Sequence, residues 1–517
     1  MKIDSVVDII RGHTAERPDA PMVTLDGTTK TWAEVTTRAG QVAHALQANG
    51  VGSQDRIAYI DKNAIEYFEL LFGGAMINAV LVAVNWRLAG AEMRYIVNDS
   101  EATVLVVHDS FAPQLAEMIE LGLDSNPHIV VIGDAGEHQS YEDWVGSGDS
   151  ADPGFEPASS DVCLQLYTSG TTGLPKGAQL TNGNFAALLE TAASWDMDSS
   201  SVNLAAMPLF HIGGSGWALF GMSMGAHTVL LRELDPGAAL DLIETNKISH
   251  AFLVPAYLQF LQLMPWQEKD LSSMELVAYG ASPITEEVLV GAMEMFKCDF
   301  VQVYGLTETT GAVTQLMPED HDPGGPKAHL LRSAGSPLPG VTLKIVDTDT
   351  GNTVPDGEVG EVWIHSPANM LGYWKLPEAT AEALPGDGWF RSGDAGYLED
   401  GFLFIHDRVK DMIVSGGENI YPAEVENALM AHDAVADCAV IGVPHDKWGE
   451  TPKALVVLAE GASADADELI SFCKGRLAGF KCPTSVDYIT DIPRNPSGKI
   501  LKKDLRAPFW EGRDRKV

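Results

Sequence analysis

Short runs of β-branched and aliphatic residues recur between stretches of helical spacing, which predicts an α/β protein with parallel strands buried on both faces. Two observations extend this. The chain has 517 residues, more than one hydrophobic core usually supports. From about residue 342 the layered texture gives way to a hairpin and then to a last stretch of roughly 110 residues, the size of a small domain. The expected architecture is a large multi-layer N-terminal domain with parallel sheets and a small β-subdomain over residues 1–409, then a small α+β C-terminal domain over residues 410–517.

In chain order, Thr31-Trp-Ala-Glu34 offers an N-cap hydroxyl with a glutamate three residues on, a capping box. Val35, Ala39, Val42, Ala43 and Leu46 share one face of the helix it opens. Buried strands are expected at 56–60, 103–107, 128–132 and 228–231, and 146–154 is a Gly/Ser/Asp surface loop. The uncharged stretch 211–231 has the length of a membrane span, but Gly213, Gly214, Gly216, Gly221 and Gly225 interrupt it. A buried helix running into a strand is expected instead. A hairpin is expected from 343–347 and 361–365 with a turn at 349–352. Beyond it come strands at 439–442 and 454–458 and a helix at 464–477.

The charge balance is 34 basic against 72 acidic residues, a net charge of −38. Such a field repels nucleic acid and anionic membrane surfaces, so no nucleic-acid partner is expected, and the excess also suits a salt-adapted source. Cys163, Cys298, Cys438, Cys473 and Cys482 form no C-x-x-C pair, which suggests neither a zinc knuckle nor a disulfide framework. The N-terminus carries acids where a secretory signal would be apolar. The expectation is a cytoplasmic protein with no integral membrane segment. Oligomeric state stays open, a homodimer included.

The run Thr168-Ser-Gly-Thr-Thr-Gly-Leu-Pro-Lys-Gly177 is the strongest chemical signal. Its glycines let backbone N–H groups turn inward, hydroxyls add donors, and Lys176 brings a cation for the β- and γ-phosphates. It is not a Walker A loop, because Pro175 precedes the lysine and Gly177-Ala178 follows it. A strand-to-strand loop over phosphates is expected.

Further along stand Pro208-Leu-Phe-His-Ile-Gly-Gly214, Gln302-Val-Tyr-Gly-Leu-Thr-Glu-Thr309, Trp389-Phe-Arg-Ser-Gly-Asp394, Asp407-Arg-Val-Lys-Asp411, Ser415-Gly-Gly-Glu-Asn-Ile-Tyr-Pro422 and Asn495-Pro-Ser-Gly-Lys-Ile500. With the phosphate loop, in this order, they resemble the adenylate-forming superfamily of acyl-CoA synthetases, luciferases and peptide-synthetase adenylation domains. The likeness is nearest to fatty-acid-CoA ligases, with aryl-CoA ligases close behind.

The resemblance implies a two-step reaction. A carboxylate attacks the α-phosphate of ATP to give acyl-AMP and pyrophosphate, and a CoA thiolate then displaces AMP. Lys499 would place its ammonium between the two anions that meet in the first step. Glu308 and Thr168 would hold Mg²⁺, with Thr307 facing the phosphates beside Ser169, Gly170, Thr171, Thr172, Gly173 and Lys176. Tyr304 would stack on adenine next to Gln302 and the Gly280-Ala281-Ser282 turn, and Asp394 with Arg408 would clamp the ribose. His211 would orient the carboxylate. Gly213, Gly214 and Gly280 would leave room for the acid, and Trp217, Phe220 and Met222 would wall an apolar tunnel. Lys410 is the implied hinge of a mobile C-terminal domain and also touches the nucleotide in the adenylating pose. Ser415, Gly416, Gly417, Trp448, Phe480 and Lys481 are the implied CoA contacts, although Cys482 and Thr484 stand where some relatives carry basic residues; Lys474 or Arg476 would add charge.

The favoured acid is a medium- or long-chain fatty acid, because no charged residue lies between Pro208 and Leu231 to pair with a second charge. The alternatives are an aryl or cinnamate-type CoA ligase, a luciferase-like oxygenase and a catalytically silent nucleotide sensor.

Overall fold

A computed structural model describes residues 2–168, 174–191, 195–348, 350–416, 418–494 and 500–511. The chain forms two compact units, Met1–Thr342 with His365–Phe390, and Leu343–Ile364 with Arg391–Val517.

The first unit is a mixed α/β body with two large sheets among the described residues. In the nine-stranded sheet, Asp299–Leu306, Leu276–Gly280, His250–Leu253, Val202–Ala205, His227–Leu230 and Pro21–Leu25 lie side by side and parallel. In the eight-stranded sheet, Val162–Thr168, Val80–Ala83, Arg56–Ile60, Val104–His108 and His128–Ile132 are likewise parallel. Arg56–Ile60 is buried at every position, as the apolar run after Arg56 predicts for a parallel strand covered on both faces. At one end of that sheet Lys176–Thr181 returns antiparallel to Val162–Thr168, and Gly372–Tyr373 pairs antiparallel with it.

The helix Trp32–Ala48 opens with the Thr31 hydroxyl accepting from Glu34 N–H while the Glu34 carboxylate accepts from Thr31 N–H. The uncharged stretch becomes the buried helix Ile212–Ser223 followed by His227–Leu230. Among the described residues, no helix is long and apolar enough to cross a membrane. The five cysteines are free thiols, and burial pushes Cys298 up to about 12 and Cys473 up to about 11.

The second unit holds a four-stranded sheet of Thr342–Val346, Gly360–His365, Trp389–Glu399 and Phe402–Arg408. The expected hairpin strands are neighbours in it; of its turn, residue 349 lies outside the described residues. A five-stranded sheet follows, built on the long pair Val435–His445 and Gly449–Leu458. Both strands run further than their apolar centres suggested, because backbone pairing continues past the polar residues Asp437 and Glu450. The helix expected over 464–477 is shorter, Ala466–Lys474: the Asp465 carboxylate accepts from Glu468 N–H at its start and Gly475 caps its end.

Candidate active site

Residues from the carboxyl ends of parallel strands gather in the first unit, the position where open α/β sheets bind ligands. Thr168 ends one strand and pairs with Lys176, the first residue of the next. Between them Ser169, Gly170, Thr171, Thr172 and Gly173 lie outside the described residues. The strand Asp299–Leu306 carries Gln302 and Tyr304 and leads into the 3-10 turn Thr307–Thr309. That turn is shaped by Thr309, whose hydroxyl accepts from Leu306 N–H and donates to Gly311 C=O. Next to it Thr310 is held at φ +55, an uncommon state for a β-branched residue, and its hydroxyl donates to Ala368 C=O.

The turn presents Glu308 to Thr168. Thr168 Oγ1 donates to Glu308 Oε1 at 3.3 Å, and the Tyr373 hydroxyl donates to the same oxygen at 2.9 Å. The Tyr373 ring in turn lies 5.0 Å from Lys176 Nζ, within cation–π range. Tyr373 belongs to none of the motifs. It is set in place by pairing with Ala178, by Trp374 N–H donating to Gly177 C=O, and by the Arg56 guanidinium 3.5 Å over the Trp374 ring. The signal available in the sequence is the run Gly372-Tyr373-Trp374, whose glycine sits at φ +153. One carboxylate and one hydroxyl are protein donors of the kind magnesium takes alongside phosphate oxygens and water, and no cluster of three or more metal-binding side chains occurs among the described residues.

Gln302 Oε1 is buried with no partner among the described residues, on the same strand and two residues from Tyr304. Neighbouring Ala281 is held at φ +68 at the end of Leu276–Gly280, and Ser282 follows it. Such backbone strain collects at ligand sites.

His211 caps the helix Ile212–Ser223. Its Nδ1 accepts from Gly213 N–H at 3.0 Å, which fixes Nε2 as the protonated nitrogen of the neutral ring. Two of the three glycines expected to leave room are occupied by the fold itself. A Cβ on Gly214 would stand 2.2 Å from Pro208 O, and one on Gly280 2.0 Å from Val303 O. Gly213 faces the Phe252 ring instead. Trp217, Phe220 and Met222 are buried, and Trp217 packs among Trp195, Phe220 and Phe252 while its Nε1–H donates to Leu204 C=O. A surface cleft of about 670 Å³ around Thr103, Asn126, His128 and Gln139 lies toward the other edge of the eight-stranded sheet and includes none of these residues.

In the second unit Asp394 and Arg408 are cross-strand partners, joined by a 2.7 Å ion pair; Arg408 also donates to Ser392 C=O. Lys410 lies in the turn Val409–Asp411, where burial holds its ammonium below the ordinary lysine value. Ser415, Gly416 and Trp448 meet: Ser415 pairs with Gly449, Gly416 N–H donates to Trp448 C=O, and a Cβ on Gly416 would strike the indole. Phe480 is exposed on a separate turn, and Lys481 beside it is held by both Glu424 oxygens at 2.8 Å. Lys474 ends the helix Ala466–Lys474, and Arg476 stacks 3.6 Å over Phe472. Gly417 and Lys499 lie outside the described residues.

Comparison with known proteins gives two family matches, to AMP-binding enzymes over residues 10–374 and to the AMP-binding enzyme C-terminal domain over residues 424–499. A fatty acid–[acyl-carrier-protein] ligase from Streptomyces coeruleorubidus is 40% identical, over 100% of this chain and 98% of that protein. A feruloyl-CoA synthase from Amycolatopsis is 39% identical, over 95% of this chain and 96% of that protein. Among solved structures, the anthranilate CoA ligase AuaEII in complex with anthranoyl-AMP superimposes with a TM-score of 0.88 at 28% identity, covering 98% of this chain and 97% of that one.

Proposed function

Because the chain belongs to the AMP-binding enzyme family and is an AMP-forming acid–thiol ligase, we propose that it activates a medium- or long-chain fatty acid and passes the acyl group to CoA. The observation that carries the adenylating half is the junction of Thr168, Glu308, Tyr373 and Lys176, which joins the two flanks of the phosphate run. For the acid, the support is the uncharged helix Ile212–Ser223 behind His211, with Gly213 against Phe252. An apolar wall without a buried charge suits an apolar tail and disfavours a second carboxylate or an ammonium.

In the first half-reaction an oxygen of the substrate carboxylate attacks the α-phosphorus, and the bond to the bridging oxygen breaks with release of pyrophosphate. Lys176 offsets charge on the leaving phosphates, and the Nε2–H edge of His211 orients the carboxylate. Glu308 and Thr168 are the residues that would hold Mg²⁺, which when bound neutralises phosphate charge. The Gln302 carbonyl would accept from the adenine amino group while Tyr304 stacks on the ring, and Asp394 with Arg408 would hold the ribose. Lys499 is assigned the cation between carboxylate and α-phosphate. In the second half-reaction a thiolate attacks the acyl carbonyl and AMP leaves, with residues 1–409 and 410–517 turning about Lys410 between the halves.

A second reading concerns the acceptor. Lys481, assigned to CoA, already has its charge matched by Glu424, which favours the pantetheine arm of a carrier protein over free CoA; the Streptomyces relative is named as an acyl-carrier-protein ligase. Pyrophosphate release measured over acids of graded chain length and over cinnamates, with CoA, with carrier protein and with neither, tests all of this. Release confined to cinnamates would overturn the fatty-acid assignment, and acyl transfer to the carrier alone would overturn the CoA assignment.

A further inference from the structure

Helix Lys502–Trp510 carries two cations one turn apart that reach back to the two carboxylates bounding Asp407-Arg-Val-Lys-Asp411. Lys502 Nζ lies 3.0 Å from Asp407 Oδ2, and Arg506 Nη1 lies 3.0 Å from Asp411 Oδ1. The two pairs differ in what they join. Asp411 follows Lys410, so its pair with Arg506 stays on one side of the pivot. Asp407 precedes Lys410 on the strand Phe402–Arg408, whereas the helix Lys502–Trp510 belongs to the five-stranded sheet beyond it. Leu505 and Phe509 pack on Ala439, Ile441 and Leu455, and Trp510 Nε1–H donates to Gly442 C=O.

Lys502 has a second carboxylate. Glu426, on the helix Pro422–Met430, stands 3.0 Å from the same ammonium, and its Oε1 accepts from Val440 N–H in the five-stranded sheet. Glu426 is therefore fixed to the same body as Lys502. The side chains of Lys502, Asp407 and Glu426 are 10%, 10% and 14% exposed, so the charges are shielded from water and an unpaired one would be costly. Asp407 Oδ2 also accepts from Ala423 N–H, in the first turn of Pro422–Met430, where negative charge is favoured.

We propose that Lys502 is a positioning residue that latches the pivot: it shares its ammonium between Asp407 on one side of Lys410 and Glu426 on the other, and releases Asp407 when the two sides turn. This rests on the two-step reading above. Turning about Lys410 draws Asp407 away from Lys502 and from Ala423 N–H, and Glu426 keeps the ammonium paired while Asp407 is away. A lysine with only the distal carboxylate would be stranded on opening, and one with only the near carboxylate would not latch. The balance between Asp407 and Glu426 thus sets how often the protein occupies each arrangement.

The test compares Asp407→Asn and Glu426→Gln in the full chain. Two rates are measured separately: ATP–pyrophosphate exchange for adenylation, and single-turnover thioester formation from preformed acyl-AMP. Asp407→Asn weakens the latch and Glu426→Gln tightens it, so the ratio of the two rates is expected to move in opposite directions, by about tenfold in each. A purely structural role would lower both rates together. If either variant fails to fold, Asp407→Glu and Glu426→Asp, which keep the charge and change its reach, are read for the same opposed signs. A ratio unchanged in either variant, or moving the same way in both, overturns the latch. Wild-type protein that exchanges no pyrophosphate with any acid would instead overturn the two-step reading.

Discussion

Replacing Tyr373 by phenylalanine removes one hydroxyl and leaves its ring beneath Lys176, which isolates the bond to Glu308. A hydrogen bond to a charged acceptor contributes about 1.5–3 kcal/mol, and each ~1.4 kcal/mol is a factor of ten, so full loss would cost roughly ten- to hundredfold. Thr168 still donates to the same oxygen at 3.3 Å, and the junction is only half-buried. The lower end, about tenfold in the kcat/KM of ATP–pyrophosphate exchange, is therefore expected. Tyr373→Leu also removes the ring 5.0 Å from Lys176, worth roughly 0.5–1 kcal/mol at a partly exposed site, and should lose a further two- to fivefold or so. Exchange is assayed at saturating acid with ATP varied, beside thermal melts of each variant. A phenylalanine variant that exchanges at the wild-type rate, or a leucine variant equal to the phenylalanine one, would refute the reasoning.

Gly214→Ala should destabilise the first unit by about 2 kcal/mol or more, read as a lower Tm, because its Cβ would meet two backbone carbonyls that have no soft way to yield. Burial holds His227, His250 and His321 below the ordinary value of 6.5. The unfolded chain then binds more protons than the folded one as pH falls through 6.5, so stability present above that pH is lost below it; Tm measured from neutral to mildly acidic pH should fall, and more shallowly in His321→Gln. Glu424→Gln should release Lys481 from its 2.8 Å pair and lower the KM for CoA several-fold, as charge is restored to phosphate binding; steady-state rates with CoA varied check this, and the KM for the acid should stay put.

What the sequence made legible was local. Thr31 and Glu34 carry a capping box within four residues, Arg56–Ile60 is a strand with no polar interruption beyond its first residue, and the glycines of 211–231 separate a buried helix from a membrane span. The strand-to-strand placement of the run 168–177 was legible from its consecutive residues, since its flanks form the antiparallel pair Val162–Thr168 and Lys176–Thr181. Element ends were less so. Val435–His445 continues through Asp437 because a strand needs backbone partners there, not apolar side chains.

Tyr373 and Lys502 were not legible for a different reason. Tyr373 reaches Glu308 across 65 residues of chain, and Lys502 reaches Asp407 across 95. Neither contact leaves a periodicity or a spacing in the sequence, since each depends on where another element delivers its partner. Gly372–Tyr373 can touch Glu308 only because its two-residue strand docks on Lys176–Thr181, and Lys502 meets Asp407 only because its helix packs on the five-stranded sheet. In both places a group named by motif is held by one that no motif named: a tyrosine aims the proposed magnesium carboxylate, and a lysine restrains the proposed pivot. The residues assigned to the chemistry are named by their own neighbours in sequence, whereas the two that hold them in pose come into view only with the fold.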